Sequence, residues 1–467
     1  MEPTILSVIL SMDFPLHETC LHGTFESLKK MVKSGKFFID CESPTGVTPM
    51  GIVAVRLYVY RPQDVDSRSV REYERKIIFL LQNGANPLKK WCGGTIADLI
   101  FQGGNQSMIH LMFKYFEDVD TPLNSFGHTA LISAIRRGYY KTAEILLGMK
   151  ADVNKGCFVK ETPLHHAASS GRADLFHLLI KHGASMELRS DLGETPLHSA
   201  CYHAEDEKII KKYIECDHNL NATDNEGCTP LHKLFIKFPE TSAVSEELVE
   251  VFLDRGADLN IKDCRGLTPL SWCIKKKNAP VALLFLRNGA NLDISEEEAV
   301  PVLKYLRGIL LEDTPLGQTV LKYIALEISK GTKINRALEE YLSQQEGVTQ
   351  YLTKCYREIE KLRKRKIRNT SVNYWRLLTK SVAELARYAN NPSIIGAMRK
   401  YRVGTYPIYG REIAYKFAKA KRRQKLMAVS SDMFNRYWEG KMPSLFVKMV
   451  TDHLSISDME NVKTARQ

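Results

Sequence analysis

The chain has 467 residues, 44% hydrophobic and 26% charged, which is ordinary globular usage and excludes broad disorder. Gly (28) and Pro (18) together make about a tenth of it, which excludes a collagen-like or low-complexity chain. Net charge is +12 but uneven: residues 351–467 carry 26 Lys/Arg against 9 Asp/Glu, whereas 1–350 carry 40 against 45.

Mean hydropathy is −0.25, and no apolar run reaches the roughly 18 residues of a membrane span. The opening Met1-Glu2-Pro3-Thr4 is acidic where a signal peptide is basic, so no secretory route is expected. The ten Cys include no C-x-x-C pair and no His at zinc-finger spacing. Free buried thiols in a reducing compartment are expected, with no structural zinc site and no cofactor.

Taken in chain order, the elements repeat. Pro15-Leu16-His17 is followed by Thr48-Pro49-Met50, Thr95-Ile96-Ala97 and Thr129-Ala130-Leu131. Thr162-Pro163-Leu164-His165 then recurs at Thr195, 33 residues on, and at Thr229, 34 further, and returns 39 further as Thr268-Pro269-Leu270-Ser271. Each turn predicts a helix start: Thr as N-cap, Pro at the first helical position, Leu toward the core. A second helix follows and ends in a Gly-Ala turn, as at Gly84, Gly183, Gly256 and Gly289, with Gly suited to a left-handed residue after the helix. The turns near Gly148 and Cys216 depart from this and are expected to be looser. Two surplus stretches, near Tyr58–Ser67 and Lys237–Ser242, read as insertions between the two helices of a unit.

A period near 33 with a T-P-L-H core is the ankyrin signature. The fold class expected is all-α: an ankyrin-repeat solenoid of about eight repeats over 13–293, followed by a small helical F-box-like domain. Residues 294–350, with Thr314-Pro315-Leu316, read as a degenerate repeat or helical cap. By likeness to ankyrin repeats, His17, His165, His198 and His232 bond the backbone of the adjacent turn and are structural. Such a stack has no cavity for chemistry, and no P-loop, H-E-x-x-H or G-x-S-x-G occurs, so no catalytic residue is assigned and an enzyme is not expected. Contacts with a target protein are expected at the hairpin tips: Phe126, His128, Lys160, Asp191, Glu194, Asn225, Glu226 and Arg265, with Val159 and Leu267 beside them.

Residues 351–467 lack the period. They contain Cys355…Glu358-Ile359, then Pro407-Ile408-Tyr409-Gly410, and close with Met442-Pro443-Ser444-Leu445 through Leu454-Ser455-Ile456-Ser457-Asp458-Met459. This order resembles the PRANC domain, which follows ankyrin repeats in poxvirus, parasitoid-wasp and endosymbiont proteins. The closing segment, 440–463, is similar to a truncated F-box, with Met442 and Met459 where that motif has Leu. The resemblance implies that Pro443, Leu445, Met449, Val450, Leu454 and Met459 dock on the Skp-type adaptor of a cullin–RING ubiquitin ligase. The function so implied is a substrate-recruiting adaptor. The rivals are sequestration of a signalling or transcription factor without ubiquitin, and a nuclear nucleic-acid factor driven by the basic runs Lys361–Arg368 and Lys419–Lys425. A solvated helix face accounts for those runs more simply, so nucleic acid is not an expected partner. The cytoplasm is the expected location, with the nucleus a second one if the basic runs act in import.

Overall fold

The computed structural model describes residues 15–43, 46–59, 67–91, 94–103, 112–116, 118–216, 219–237, 244–292, 314–400 and 405–437. The chain divides into two compact units, Met1–Ile210 and Lys211–Gln467.

The first unit is built from short helix pairs: α1 (Pro15–His22) with α2 (Phe25–Lys33), α3 (Pro49–Val59) with α4 (Ser67–Gln82), α6 (Ala130–Arg137) with α7 (Tyr140–Gly148), and α8 (Pro163–Ser170) with α9 (Ala173–Lys181). Helix α5 (Ile96–Gly103) lies between the second and third pairs, and α10 (Pro196–His203) follows the last. The first helices stack in order, α1 on α3, α3 on α5, α5 on α6, α6 on α8 and α8 on α10. A two-stranded ribbon, β1 (Lys90–Trp91) and β2 (Gly94–Thr95), forms the hairpin tip ahead of α5. Helix α11 (Glu207–Cys216) crosses the division between the units.

The second unit opens with two more pairs, α12 (Pro230–Lys237) with α13 (Glu246–Asp254) and α14 (Pro269–Lys275) with α15 (Ala279–Arg287). Helices of unequal length follow: α16 (Pro315–Lys330), α17 (Arg336–Gln344), α18 (Glu346–Lys364), α19 (Tyr374–Thr379), α20 (Val382–Ala386), α21 (Pro392–Arg399) and α22 (Gly410–Tyr437). Helix α16 packs on both α15 and α18, and α22 packs on α19 and α20. The composition change at residue 351 falls inside α18, which runs through it unbroken. Among the described residues, no helix is long and apolar enough to cross a membrane.

The helix starts follow their sequence. The Thr129 hydroxyl accepts from the Ile132 N–H, and that of Thr268 from the Ser271 N–H. The Leu of each turn (Leu16, Leu131, Leu164, Leu197, Leu231 and Leu270) is at most 1% exposed. Each such burial stabilises by roughly 1.5–3 kcal/mol. Of the described cysteines, Cys20, Cys157, Cys201, Cys228, Cys273 and Cys355 are buried.

One expectation is corrected. The turn at Leu146–Ala151 is as tight as its relatives. The Ala151 N–H donates to the Leu146 carbonyl at 3.0 Å, matching Ala184 to Leu179 and Ala257 to Phe252, both 3.0 Å. Lys150 takes the left-handed conformation (φ 67°) that Gly183 (85°) and Gly256 (85°) take in those turns. The bond that closes the turn offsets the strain of a side chain there. The other departing turn, at 217–218, and the two insertions, at 60–66 and 238–243, lie outside the described residues. Their flanking helices, α3 and α4 and then α12 and α13, place each insertion inside a pair.

Candidate interaction surface

Three of the hairpin tips are four-residue turns closed by a side chain. Asn124 Oδ1 accepts from the Phe126 and His128 N–H groups, both at 3.1 Å. Asp224 Oδ1 accepts from Glu226 (2.9 Å) and Cys228 (2.8 Å), and Asp263 Oδ1 from Arg265 and Leu267 (both 2.9 Å). Neighbouring tips are then tied by backbone: Phe158 N–H to Phe126 O at 3.0 Å, Asp191 N–H to Val159 O at 2.9 Å, and Cys264 N–H to Glu226 O at 2.7 Å. These bonds fix the tips before any partner arrives, which lowers the ordering cost of binding.

The third residue of each tip faces outward. In the first unit it is Phe126, Val159 and Leu192, at 67%, 51% and 65% exposure, with Phe158 beside them at 65%. In the second unit it is Glu226 and Arg265, both exposed. Phe158 and Leu192 escape a motif reading, yet aligning Asn124-Ser125-Phe126-Gly127 with Ser190-Asp191-Leu192-Gly193 places Leu192 at once.

Of the other tip residues expected at a target, Asn225 is exposed, as are Lys160 and Asp191, which pair with each other at 3.0 Å. A solvated pair of this kind contributes little. His128 and Glu194 are corrections: they are 6% and 9% exposed, so neither side chain is offered to a partner. Leu267 is likewise buried. All three stand immediately before the capping Thr, where the chain turns in toward the helix. The ligase-docking residues Pro443, Leu445, Met449, Val450, Leu454 and Met459 lie outside the described residues.

The T-P-L-H histidines are structural. His165 Nδ1 accepts from the Thr162 N–H (3.1 Å), and its Nε2 donates to the Glu194 carbonyl (3.0 Å) in the next tip. His232 does the same between Thr229 (3.0 Å) and Leu267 (3.1 Å). His17 Nε2 donates to the Val47 carbonyl at 2.8 Å. Burial is the main cause that lowers the pKa of all three, so each is held as the neutral ring.

In the tail, two of the three stretches that carry the PRANC resemblance meet. The Glu358 carboxylate accepts from the N–H groups of Ile408 (3.1 Å) and Tyr409 (2.7 Å). Burial raises the Glu358 pKa, and the two amide donors oppose that rise. The Tyr409 hydroxyl donates to the Lys322 carbonyl at 2.7 Å on α16. Three residues on, within α22, Glu412 is 2% exposed and pairs with Lys322 and with Arg287, the latter at 3.4 Å. In the basic run at the end of α18, Leu362 and Ile367 face inward and Lys361, Lys364, Arg365, Lys366 and Arg368 face solvent. Lys419 pairs with Asp254 at 3.4 Å, so the second run is partly spent on packing. A cleft of about 720 Å³ beside it is lined by Arg287, Lys330, Lys416 and Lys419 with Asp254 and Glu327. There Lys416 donates to the Leu378 carbonyl at 2.9 Å, and burial lowers its pKa to about 8.

One cluster could hold a metal ion. His128, Cys157 and His166 are all buried, with ligand atoms within 4.8 Å of one another. The His166 Nε2 has no hydrogen-bond partner and lies 3.5 Å from Glu161 Oε2.

Helix pairs at a period near 33 residues, begun by T-P-L-H turns and joined through their tips, define ankyrin repeats, a scaffold for protein–protein interaction. The ankyrin-repeat family profiles match residues 126–156, 154–211 and 200–296. The chain is similar to the ankyrin repeat protein OPG189 of Variola virus, 25% identical over 353 residues, covering 69% of this chain and 59% of that protein. The Vaccinia virus (strain Western Reserve) OPG189 is 24% identical over 309 residues, 60% of this chain and 52% of that one. The B-cell lymphoma 3 protein homolog of Mus musculus is 27% identical over 181 residues, 38% of each. The chain thus spans between half and three fifths of the viral relatives' length.

Proposed function

We propose that this protein is a substrate-recruiting adaptor of a cullin–RING ubiquitin ligase. The ankyrin array captures a target protein through the apolar tips Phe126, Phe158, Val159 and Leu192. The F-box-like segment 440–463 binds the Skp-type adaptor through the apolar residues Leu445, Met449, Val450 and Leu454. The observation that carries the tail's half of this reading is the closure of Glu358 over the Ile408 and Tyr409 amides. It joins two of the three stretches on which the PRANC resemblance rests. Removing 440–467 from the full chain tests it. Recovery of cullin and Skp-type adaptor in a pull-down is expected to vanish while target capture persists. Undiminished recovery of the ligase components would refute the bridge.

A second reading is sequestration of a signalling or transcription factor, with no ubiquitin step. It needs only the apolar tips Phe126, Phe158, Val159 and Leu192 and no part of the tail. Target lifetime separates the two: turnover that depends on 440–467 supports the adaptor, and retention without turnover supports sequestration.

A further inference from the structure

In these repeats the first side chain of a tip meets the side chain nine positions later, at the fourth residue of the following helix. Asp224 Oδ2 pairs with Lys233 Nζ at 2.6 Å. Asp263 Oδ2 accepts from Trp272 Nε1 at 2.9 Å. Both junctions are buried, and both are closed by a direct bond between oppositely suited groups. In the tip ahead of α8 the same two positions are Cys157 and His166. No hydrogen bond closes that junction: the His166 Nε2 is left unpartnered although the residue is 7% exposed. An orphaned buried ring nitrogen is destabilising unless something else fills its place.

Two more groups converge there. His128, from the tip ahead of α6, sets its ring edge-on to that of His166, with centroids 5.2 Å apart. Glu161, half-buried, brings a carboxylate oxygen to 3.5 Å from His166 Nε2. We propose that His128, Cys157 and His166 bind one divalent transition-metal ion of the zinc class, with Glu161 as the fourth donor. Two imidazoles, a thiolate and a carboxylate form a borderline-soft donor set that suits zinc and disfavours calcium or magnesium. Zinc bonds of about 2.0–2.3 Å bring tetrahedral donors to within about 3.3–3.7 Å of each other. The present cluster, within 4.8 Å, needs a contraction of roughly an ångström, a rotamer adjustment in scale.

One cation already stands at the site. The Arg136 guanidinium lies 3.0 and 3.1 Å from the two ring nitrogens of His128. Arg136 is exposed, so it can swing into solvent when an ion enters. The ion would tie the tip of one repeat to the tip and first helix of the next.

The test is a cobalt(II) titration of the full chain, metal-stripped and reduced, with zinc as competitor. One cobalt per chain is expected, with a thiolate-to-cobalt absorption band that zinc abolishes. The double variant C157D/H166K rebuilds the Asp224–Lys233 pairing at this junction. It is expected to keep the helical circular-dichroism signal and to lose the band, while the nine other cysteines remain as an internal control. The R136A variant removes the competing cation, and its affinity is expected to rise about 10-fold or more, the scale on which groups around a metal act. Overturning results are no cobalt–thiolate band in the intact chain, a band undiminished in C157D/H166K, or weaker binding in R136A.

Discussion

The tips at 124–193 and those at 224–266 share one backbone design and carry opposite contents. The later tips are anchored by Asp224 and Asp263, each holding two backbone amides and one buried donor. Their outward residues, Glu226 and Arg265, are charged. The earlier tips use Asn124, Cys157 and Ser190 at the anchor and present Phe126, Val159 and Leu192 outward. The same fold therefore separates two tasks. Where the anchor is an Asp, the tip mainly stabilises the stack. Where the anchor is weaker, the outer surface is apolar and fit for a partner, because desolvating an aromatic or leucine side chain is favourable where desolvating a lone charge is not.

That contrast can be broken by substitution. The largest effect is expected from D224A, which removes the buried ion-pair partner of Lys233 and the acceptor of two amides. A loss of about 3–5 kcal/mol is expected in urea unfolding. In metal-free buffer C157A at the equivalent position should cost about 1 kcal/mol, since a free buried thiol behaves as a small hydrophobe. Equal losses would erase the distinction between the two sets of tips.

Acid provides the next test. His17, His165 and His232 are all lowered from 6.5, chiefly by burial. The unfolded chain therefore takes up their protons first as pH falls. Their stability contribution is complete above about 6.5 and is lost as pH drops through the lower folded values. Thermal unfolding at pH 7, 6, 5 and 4 should show a falling midpoint, and a flat profile would contradict the backbone role given to these rings.

The smallest effects concern the left-handed residues. Lys150 and Lys160 (φ 67° and 59°) occupy positions that Gly fills elsewhere, Gly183 and Gly256 in one case and Gly193 and Gly227 in the other. K150G and K160G should each stabilise by about 1 kcal/mol. Denaturant midpoints that fall in both variants would show that these lysines hold the turns by contacts rather than strain them.

Much of the stack was legible in the sequence because each signal is local. Thr, Pro, Leu and His act within four residues of a helix start, and the period multiplies them. The tail was legible only in pieces. Cys355, Glu358 and Ile359 and then Pro407–Gly410 read as separate stretches, and their junction through Glu358 spans fifty residues that no spacing rule bridges. The burial of His128 and Glu194 was missed because a residue just before the capping Thr belongs by position to the tip and by direction to the core. The His128–Cys157–His166 cluster was missed for a related reason. Its donors come from two repeats, and a search for close Cys and His pairs looks within one segment. Lys150 shows the converse: a motif departure in sequence that the backbone absorbs without change.

The central claim, that the array grips its target by the apolar tips, is tested most directly by quantitative capture from lysate with two full-length variants. One carries F126S, F158S and L192S, and the other carries E226A and R265A. The account predicts that the first loses the proteins recovered by the intact chain and that the second retains them. Loss in the second variant with full recovery in the first would contradict it.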